Sequence, residues 1–364
     1  MNDRILSFPG FVDVHVHFRD PGASEAETTA SGLVAAKRGG FAAVVTMPNT
    51  TPAIDTIESV RSHTIENSDG LPMLLTSACI TKGRSGTEVA NLESLAEAGA
   101  AFFTDDGTYV ADDRVMELAM DRIAALNMVV CQHAMSPAEQ RGGVIRDCAL
   151  ARKLNLPIVS VETETKAIRR DLSLCRETGC RLHVQHISTA EGVELVREAQ
   201  KEGLPVTAEA TPHHLLLSCD DLAVDDANFK MAPPLGNHED RCEIRKAVKD
   251  GVLMFATDHA PHPAAKKCLG FAKSANGIIG LETAIPITYA VMVEEEGMPV
   301  EDWARAWWEM PLQIISRHRG SVASKLTETT VAIGEERAVD VGTFASLSRN
   351  CPYNGMKFRC WPCK

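Results

Sequence analysis

The sequence predicts an α/β fold in which eight parallel strands close into a (β/α)₈ barrel. Short apolar, β-branched runs alternate along the chain with segments of helical periodicity. Such alternation requires parallel strands joined by right-handed crossovers, and eight units of this kind close naturally into a barrel. An open doubly wound sheet is the alternative, but no G-x-G-x-x-G turn follows the first strand. The number of units therefore favours the barrel.

The predicted strands are apolar runs that carry polar residues near their carboxyl ends. They cover residues 11–18, 42–49, 73–80, 100–106, 129–133, 182–188, 206–214 and 254–262. The predicted helices lie between the strands, for example at residues 28–40, 88–99, 113–126, 165–179, 190–203 and 239–251. Many of these helical segments end on glycine, which is a common helix terminus.

The pattern of alternating strands and helices weakens after about residue 320. The remaining segment has short β-like pieces and no amphipathic helix. The sequence therefore predicts a barrel over residues 8–318 and a small β appendage or tail over residues 319–364.

Charge and composition exclude several classes of protein. The 37 basic and 49 acidic residues give a net charge of −12, which repels a phosphate backbone, and no basic patch offsets it. No uncharged apolar run reaches the roughly 18 to 20 residues that cross a bilayer, and the first residues lack a signal pattern. We therefore expect a cytoplasmic protein without nucleic-acid or membrane partners. The 11 cysteines are interpreted as mostly buried, reduced thiols.

Residues that commonly bind metals lie at the ends of five predicted strands. His15 and His17 are two residues apart, so both imidazoles point to the same face of the first strand. The other strand ends carry Asp105, Asp106, His133, His186 and Asp258. Four histidines with two carboxylates suit two borderline ions such as Zn²⁺. Periodicity does not separate Asp105 from Asp106, and it gives the nearby His213 and His214 no obvious role.

Seven motifs occur in an order that resembles the dihydroorotases, specifically the bacterial type with an aspartate in place of a carboxylated lysine. They are FVDVHVHFRDPG, MPNTTP, FFTDDG, QHIST, EATPHHLLLS, FKMAPPLG and ATDHAPH. The resemblance covers residues 8 to 315 and implies a metal-dependent barrel of the amidohydrolase type. Related hydantoinases and allantoinases share the H-x-H and D-H-A-P-H motifs, but they lack an arginine at the position of Arg19.

The resemblance also implies a role for each residue of the site. It makes His15 and His17 ligands of one zinc ion, His133 and His186 ligands of the other, and Asp106 the bridge between the two. Asp258 would bind metal and carry the catalytic proton. The substrate would be held by Arg19, Asn49, His262, Asn276 and Gly277. Arg19 also lies on the strand face of His17, where a guanidinium can grip a carboxylate at two points.

The implied activity is the reversible zinc-dependent cyclisation of N-carbamoyl-L-aspartate to L-dihydroorotate in de novo pyrimidine biosynthesis. Two Zn²⁺ ions per chain are expected. Lys82 is a weaker candidate as a carbamylated metal ligand, since Asp106 already supplies the bridging carboxylate. We expect a homo-oligomer, and association with aspartate transcarbamoylase is left open.

The sequence departs from the family pattern at several positions. Ala232 and Gly236 stand where the family usually has Asn and Arg, and HAMS follows His133 in place of the usual Cys-Glu context. An amino-terminal β segment is expected to be missing, since Met1 lies only fourteen residues before His15. Two alternatives therefore stay open: a non-catalytic dihydroorotase-like subunit, and a hydantoinase-like or allantoinase-like cyclic amidohydrolase.

Overall fold

The computed structural model describes residues 4–65, 70–315 and 319–363. Parallel strands and intervening helices form most of this part of the chain, which confirms the predicted α/β class. The strands are β1 (Arg4–Phe8), β2 (Phe11–Val16), β3 (Phe41–Thr46), β4 (Met73–Thr76), β5 (Val129–Gln132), β6 (Arg181–Val184), β7 (Val206–Ala210), β8 (Met254–Phe255), β9 (Thr329–Ala338) and β10 (Lys357–Pro362).

The helices surround the parallel strands, and among the described residues every helix is too short or too polar to cross a bilayer. The α-helices are α1 (Thr29–Arg38), α2 (Ile57–Ser62), α3 (Leu92–Ala98), α4 (Asp113–Ala125), α5 (Pro137–Gln140), α6 (Ala149–Leu154), α7 (Glu162–Thr178), α8 (Ala190–Lys201), α9 (Pro212–Leu216), α10 (His238–Lys249), α11 (Ala264–Lys267), α12 (Gly270–Lys273), α13 (Ala284–Thr288), α14 (Val300–Trp308), α15 (Pro311–Ile314) and α16 (Arg319–Ala323). A π-helix follows α13 at Tyr289–Glu295, and short 3₁₀ helices lie at Lys82–Arg84, Cys219–Asp221, Ala227–Phe229 and Val341–Thr343.

The parallel strands form two sheets, β2-β3-β4 and β5-β6-β7-β8. Single parallel bridges extend both sheets. Phe103 bridges to Ala78 and to Val130, and Val16 bridges to His259. Because all these strands run in one direction, their carboxyl ends meet on one side of the molecule, where the candidate site residues follow them.

All eight predicted strands end earlier than the sequence suggested, and three of them differ most. Within residues 100–106, Phe103 forms bridges but no continuous strand. The predicted strand 206–214 ends at Ala210, because Thr211 caps helix α9 and Pro212 occupies its first position. His213 and His214 therefore lie on a helix. The last predicted strand, 254–262, is ordered as a strand only over Met254–Phe255.

The prediction that no amino-terminal β segment exists is wrong. Strand β1 pairs antiparallel with β9, which also pairs with β10, so the small sheet has the order β1-β9-β10. The segment RILSF lacked a clear period, and its pairing depends on a partner strand 321 residues away in the chain. The boundary between residues 318 and 319 stays a prediction, since residues 316–318, including His318, lie outside the described residues.

The core consists of two apolar clusters on opposite faces of the parallel strands. One cluster, between strands and helices, includes Val44, Leu74 and Val130. The other includes the alternate residues Val45 and Leu75. The remaining buried members of this second cluster are Val12, Val14, Ala43, Met47, Met73, Ala101, Phe102, Val129, Cys131, Met254, Ala256, Leu312, Ile314, Ile315 and Val322. The alternation follows from the two-residue period of a strand.

Strand β2 carries an irregularity that affects the site. Its register against β3 shifts between Asp13 and Val16. Val14 and His15 both lie within this shift; Val14 belongs to the second apolar cluster, and His15 contacts the buried Glu209 of β7. A bulge of this kind re-aims side chains at the end of a strand.

Candidate metal and substrate site

The candidate metal ligands converge beyond the carboxyl ends of the parallel strands. Two groups of three residues can be distinguished, and within each group the ligand atoms all lie within 4.8 Å of one another. Asp106 belongs to both groups. The first group is His15, His17 and Asp106, and the second is Asp106, His133 and His186. All five side chains are buried. The structure thus brings together residues that the sequence spreads over more than 170 positions.

Asp106 lies between the two pairs of histidines. Its Oδ2 is 3.3 Å from Nε2 of His17, and its Oδ1 is 3.5 Å from Nε2 of His15. Oδ1 is also 3.6 Å from Nδ1 of His133 and 3.8 Å from Nε2 of His186. One carboxylate therefore faces both halves of the cluster.

Asp105 is used elsewhere, which separates the two neighbouring aspartates. Its Oδ1 accepts hydrogen bonds from the backbone N–H groups of Ile80 and Thr81 at 2.8 and 3.1 Å. The Thr81 hydroxyl donates to its other oxygen. Asp105 thereby holds the loop that follows β4, and Asp106 alone of the pair points into the cluster.

Asp258 completes the cluster from the end of β8. Its Oδ1 is 3.0 Å from Nε2 of His17 and 3.5 Å from Nε2 of His15. The residue has a positive φ of 48°, as does His186 at 33°. Left-handed backbone is uncommon for residues other than glycine and asparagine, and it persists where surrounding contacts over-determine it.

Asp13 supplies one of those contacts. Its carboxylate accepts from the backbone N–H of Thr257 at 3.1 Å and from the Thr257 hydroxyl at 2.5 Å. It also accepts from the backbone N–H of His15 at 3.2 Å. Burial raises the pKa of Asp13 to about 7 even though these bonds favour the carboxylate. Asp13 thus ties the residue before Asp258 to the strand that carries His15.

Second contacts fix which nitrogen of His15 and of His17 faces the cluster. Nδ1 of His15 lies 2.5 Å from Oε1 of Glu209, a buried carboxylate whose pKa is lowered despite burial by His15 and His183. Nδ1 of His17 lies 3.0 Å from Oδ1 of Asn49. Both oxygens accept, so each Nδ1 carries a proton and each Nε2 faces the acids.

The electrostatics of the cluster favour a cation. Burial alone would lower the pKa of His15, but the carboxylates of Glu209, Asp106 and Asp258 raise it well above its usual range. Burial alone would raise the pKa of Asp106, but the neighbouring His15 more than offsets this effect. The pKa of Asp106 therefore lies well below its ordinary value. The acids that stabilise a proton at this position stabilise a metal cation for the same reason.

Two orphaned atoms support the same interpretation. Nε2 of His15 and Oδ1 of Asp106 are buried and have no hydrogen-bond partner among the described residues. Nδ1 of His133 and Nε2 of His186 lie 2.9 Å apart. Ligand atoms bound to one tetrahedral Zn²⁺ at about 2.0–2.2 Å lie about 3.3 Å from each other. The distances between ligand atoms in the cluster, 2.9 to 3.8 Å, are close to that value. The donor set therefore fits a divalent ion.

The predicted substrate residues line a cavity of about 220 Å³ next to the cluster. Its lining is His17, Arg19, Asn49, Asp106, Gly107, His133, His186, Ala232, Asp258, Ala260, His262, Asn276 and Gly277. Arg19 is held by a hydrogen bond from its Nε to the carbonyl of Pro261 at 3.2 Å. Burial lowers the pKa of Arg19 to about 10, so the guanidinium stays charged at neutral pH.

His262 is neutral and oriented. Burial and the nearby Arg19 lower its pKa to about 3. Its Nε2 lies 2.7 Å from the carbonyl oxygen of Asn276, which only accepts, so Nε2 carries the proton and donates. Nη2 of Arg19 lies 3.4 Å from the same nitrogen. Because both nitrogens carry protons, they do not bond each other, and Nη2 of Arg19 can donate to another acceptor.

The weaker candidates do not belong to the described ligand groups. Lys82 lies on the surface, its side chain 56% exposed and paired with Glu88. His214 bonds Thr211 at 2.8 Å and the carbonyl of Pro233 at 3.2 Å. Burial lowers the pKa of the neighbouring His213 to about 4. None of these three groups belongs to the described ligand sets.

Sequence reasoning did not identify Glu209. It lies on β7, fully buried, and accepts from His15, from Nε2 of His183 at 3.0 Å and from the backbone N–H of His186 at 3.2 Å. A glutamate inside the apolar strand VTAEA was the available signal, because a buried carboxylate requires partners.

Comparison with known proteins agrees with this geometry. The family model described as "Dihydro-orotase-like" matches residues 4–192. The chain is 40% identical over 358 residues to a dihydroorotase of Geobacillus sp. (strain WCH70), covering 97% of this chain and 84% of the relative. It is 39% identical to a dihydroorotase of Bacillus caldolyticus, covering 98% and 84% of the two chains.

Solved structures show the same fold at lower identity. The L-hydantoinase of Arthrobacter aurescens superposes with a TM-score of 0.85 at 24% identity, covering 98% of this chain and 83% of that one. A dihydroorotase of Saccharomyces cerevisiae superposes with a TM-score of 0.77 at 18% identity, covering 99% and 98%. At such identities the likeness speaks for the fold, whereas the relatives near 40% identity identify the family. By those relatives and the family model, the chain belongs to the dihydroorotase family.

Proposed function

We propose that this chain is a metal-dependent dihydroorotase that interconverts N-carbamoyl-L-aspartate and L-dihydroorotate. The observation that carries the proposal is the position of Asp106 between two histidine pairs, with Asp258 3.0 Å from His17 and Arg19 lining the same cavity. The cluster suits hydrolysis of an amide, and the guanidinium suits a substrate that carries a carboxylate.

We propose that two Zn²⁺ ions bind to the cluster. His15 and His17 would hold one ion, His133 and His186 the other, and Asp106 would bridge them, with Asp258 as a further ligand. The orphaned nitrogen of His15 and the orphaned oxygen of Asp106 support this assignment. When bound, such ions acidify a water molecule and polarise a carbonyl group.

Asp258 is the group that would move the proton. Its carboxylate lies at the border between the cluster and the cavity, and Asp258 is ionised because the nearby histidines, opposing the effect of burial, lower its pKa. In hydrolysis, water adds to the ring carbonyl, the C–N bond breaks, and Asp258 passes the water's proton to the leaving nitrogen. Cyclisation runs the same transfers in reverse.

Three residues would orient the substrate by its carboxylate. The Arg19 guanidinium supplies charge and two parallel donors. Asn49 uses its oxygen on His17, which leaves its NH₂ group as a donor. The neutral His262 ring lines the cavity beside Arg19, and its Nε2 proton would have to turn from the Asn276 carbonyl to reach a substrate carboxylate. The backbone of Asn276 and Gly277 would then contact the ring.

The same proposal includes a closed eight-unit barrel over residues 8–318, with residues 319–364 as a β appendage. The bridges from Phe103 to Ala78 and Val130, and from Val16 to His259, support closure. A homo-oligomer, with or without aspartate transcarbamoylase, remains a prediction that size-exclusion chromatography of the purified chain tests.

The decisive experiment measures metal and activity on one sample. Protein purified without chelator should contain about two equivalents of zinc per chain and should hydrolyse L-dihydroorotate. Asp258→Asn serves as the inactive control, since it keeps the shape of the side chain and removes the proton acceptor. Full activity in a sample free of metal would refute the metal-dependent mechanism.

Substrate choice separates the proposal from its alternatives. Dihydrouracil has the same ring without the carboxylate, so a dihydroorotase should turn it over far more slowly than dihydroorotate. A preference for dihydrouracil or hydantoin would favour a hydantoinase-like enzyme. Stoichiometric metal without turnover of any of these rings would favour a non-catalytic subunit.

A further inference from the structure

A segment near the carboxyl end of the chain packs behind the wall of the cavity. This segment, residues 345–351, lies between the 3₁₀ helix Val341–Thr343 and β10. The carboxylate of Glu282 accepts from the backbone N–H of Ala345 at 2.9 Å, and the Ser348 hydroxyl donates to the carbonyl of Ala26 at 2.7 Å. The segment is thus fixed to the parallel-strand part of the molecule at several points.

Asn350 is the residue of this segment that reaches the cavity wall. It is 3% exposed. Its Oδ1 accepts from the backbone N–H of His262 at 3.1 Å, and its Nδ2 donates to the carbonyls of Ala260 and Gly277 at 2.9 and 3.0 Å. One acceptor and two donors are required here, and only a side-chain amide of this length supplies all three.

The partners of Asn350 belong to the lining of the cavity. Ala260, His262 and Gly277 face it, and the His262 ring in turn donates to the carbonyl of Asn276. Two side chains therefore join the segment carrying His262 to the segment carrying Gly277. The His262 ring does so on the side that faces the cavity, and Asn350 does so on the side away from it.

Buried Lys267 holds the same wall from another direction. Its Nζ donates to the carbonyls of Gly277, Ala275 and Lys230 at 2.8, 3.0 and 3.2 Å. The Gly277 carbonyl thus accepts from both Lys267 and Asn350. Lys267 leaves the His262 segment untouched, whereas Asn350 contacts both segments. Their backbones are also joined by a hydrogen bond from the N–H of Ala260 to the carbonyl of Ile278 at 2.8 Å, so Asn350 adds to a contact that already exists.

We propose that Asn350 is a positioning residue for substrate binding: it sets the distance between His262 and the Asn276–Gly277 backbone without touching the substrate. The inference rests on the proposed function, in which these groups bind the carboxylate and the ring. A small displacement of binding groups costs affinity for a rigid substrate far more than it costs global stability.

The test compares Asn350→Asp with Ser348→Ala in the zinc-loaded, full-length protein. Asn350→Asp keeps the shape and the bond to His262, but it sets a carboxylate oxygen against two carbonyl oxygens. Ser348→Ala is the matched control, since it removes one buried hydrogen bond from the same segment without contacting the wall. Asn350→Ala removes the contacts without repulsion and serves if the aspartate variant does not fold.

We expect the Asn350 variants to raise KM for dihydroorotate and for carbamoyl aspartate by about tenfold or more, with a smaller change in kcat. Ser348→Ala should lower the unfolding temperature without raising KM more than about twofold. An unchanged KM in both Asn350 variants, or an equal rise in Ser348→Ala, would overturn the proposal.

Hydrogen–deuterium exchange separates this inference from the proposed function. Peptides that contain His262 and Gly277 should exchange faster in both Asn350 variants and not in Ser348→Ala, whether or not the wild type turns over dihydroorotate. Wild type without turnover refutes the proposed function alone. Unchanged exchange at both positions refutes the role of Asn350 alone.

Discussion

At the scale of single residues, the chemistry depends on where protons lie on imidazole rings. His15 and His17 each donate a hydrogen bond from Nδ1, to a side-chain oxygen of Glu209 and of Asn49 respectively. Their Nε2 atoms are thereby directed into the cluster. A histidine with both nitrogens free would be a weaker ligand, because its ring could rotate and change tautomer. The residues that accept these protons are therefore part of the site, although they bind no metal.

Replacement of Arg19 by methionine tests the role of the guanidinium. The change removes the charge and both donors while keeping a long side chain, so KM for dihydroorotate and carbamoyl aspartate should rise by about 10- to 100-fold. The zinc content should stay at the wild-type value, because Arg19 contacts none of the ligands. Steady-state kinetics in both directions and elemental analysis provide the measurements.

Arg19→Lys is the matched control, since it keeps the charge and loses the fork of donors. It should fall between the wild type and Arg19→Met. Unchanged KM in Arg19→Met would show that the side chain is structural.

Ala232 offers a gain-of-function test. It lines the cavity where the family pattern has an asparagine, and Ala232→Asn should improve kcat/KM by up to about tenfold, since one added hydrogen bond contributes about 1 kcal/mol. Kinetics at saturating zinc measure the effect. An equal or lower kcat/KM would mean that the pocket binds its substrate in a different pose.

At the scale of elements, strands β7 and β2 each contribute a residue that orients a ligand carried elsewhere in the fold. Glu209 of β7 holds His15, which follows β2, and Asp13 of β2 holds Thr257, which precedes Asp258. The ligands are consequently fixed by cross-strand contacts that no local segment contains.

Glu209→Gln tests this arrangement. The amide keeps one acceptor for His15 but loses the charge and the second acceptor, so zinc affinity should fall about 10- to 100-fold. Competition with a metal chelator measures it. Asp240→Asn, at another buried carboxylate, should leave the affinity unchanged. Equal zinc affinity in Glu209→Gln and wild type would contradict the assigned role.

The turn before α10 contains Gly236, the second position at which the sequence departs from the family pattern, and the neighbouring atoms leave no room there for a side chain. A Cβ at Gly236 would lie 2.5 Å from Cβ of Asp240 and 2.6 Å from the carbonyl of Ser188. Gly236→Ala should therefore lower the free energy of unfolding by about 1–3 kcal/mol, as measured with denaturant. Gly320→Ala, where a Cβ meets no described atom within 4 Å, should change it by less than about 1 kcal/mol. Equal effects would argue against the close contact.

At the scale of the whole molecule, the proposed metal ions should contribute to stability. Without a metal cation, several carboxylates and imidazoles face one another while buried. A ligand that binds the folded state alone stabilises it by mass action, by about 2.7 kcal/mol at a concentration of about 100 times its Kd. Removal of zinc with a chelator should lower the unfolding temperature, and added zinc should restore it. Calorimetry of the two forms would contradict this if their unfolding temperatures coincided.

The sequence predicts the parts of the molecule that follow a local rule. Alternation of strands and helices predicts the parallel sheets, and ligand-type residues at strand ends predict that His15, His133 and Asp106 meet. Contacts between distant segments leave no such pattern. Packing decides that β1 pairs with β9 and that Asn350 bonds the backbone of His262. The local sequence around these residues does not indicate their distant partners. Glu209 lies between these cases, because its burial was visible but its partner was not.

The small sheet has a consequence for the order of events during synthesis. Strand β1 pairs with β9, and the hydroxyl of Ser7 bonds Glu328, 321 residues further along the chain. Contacts between such distant segments form late, because the intervening chain must be made and its ends brought together first. A nascent chain on the ribosome thus carries β1 with an unpaired edge until β9 emerges. The first strand of the described chain is thus among the last to find its partner.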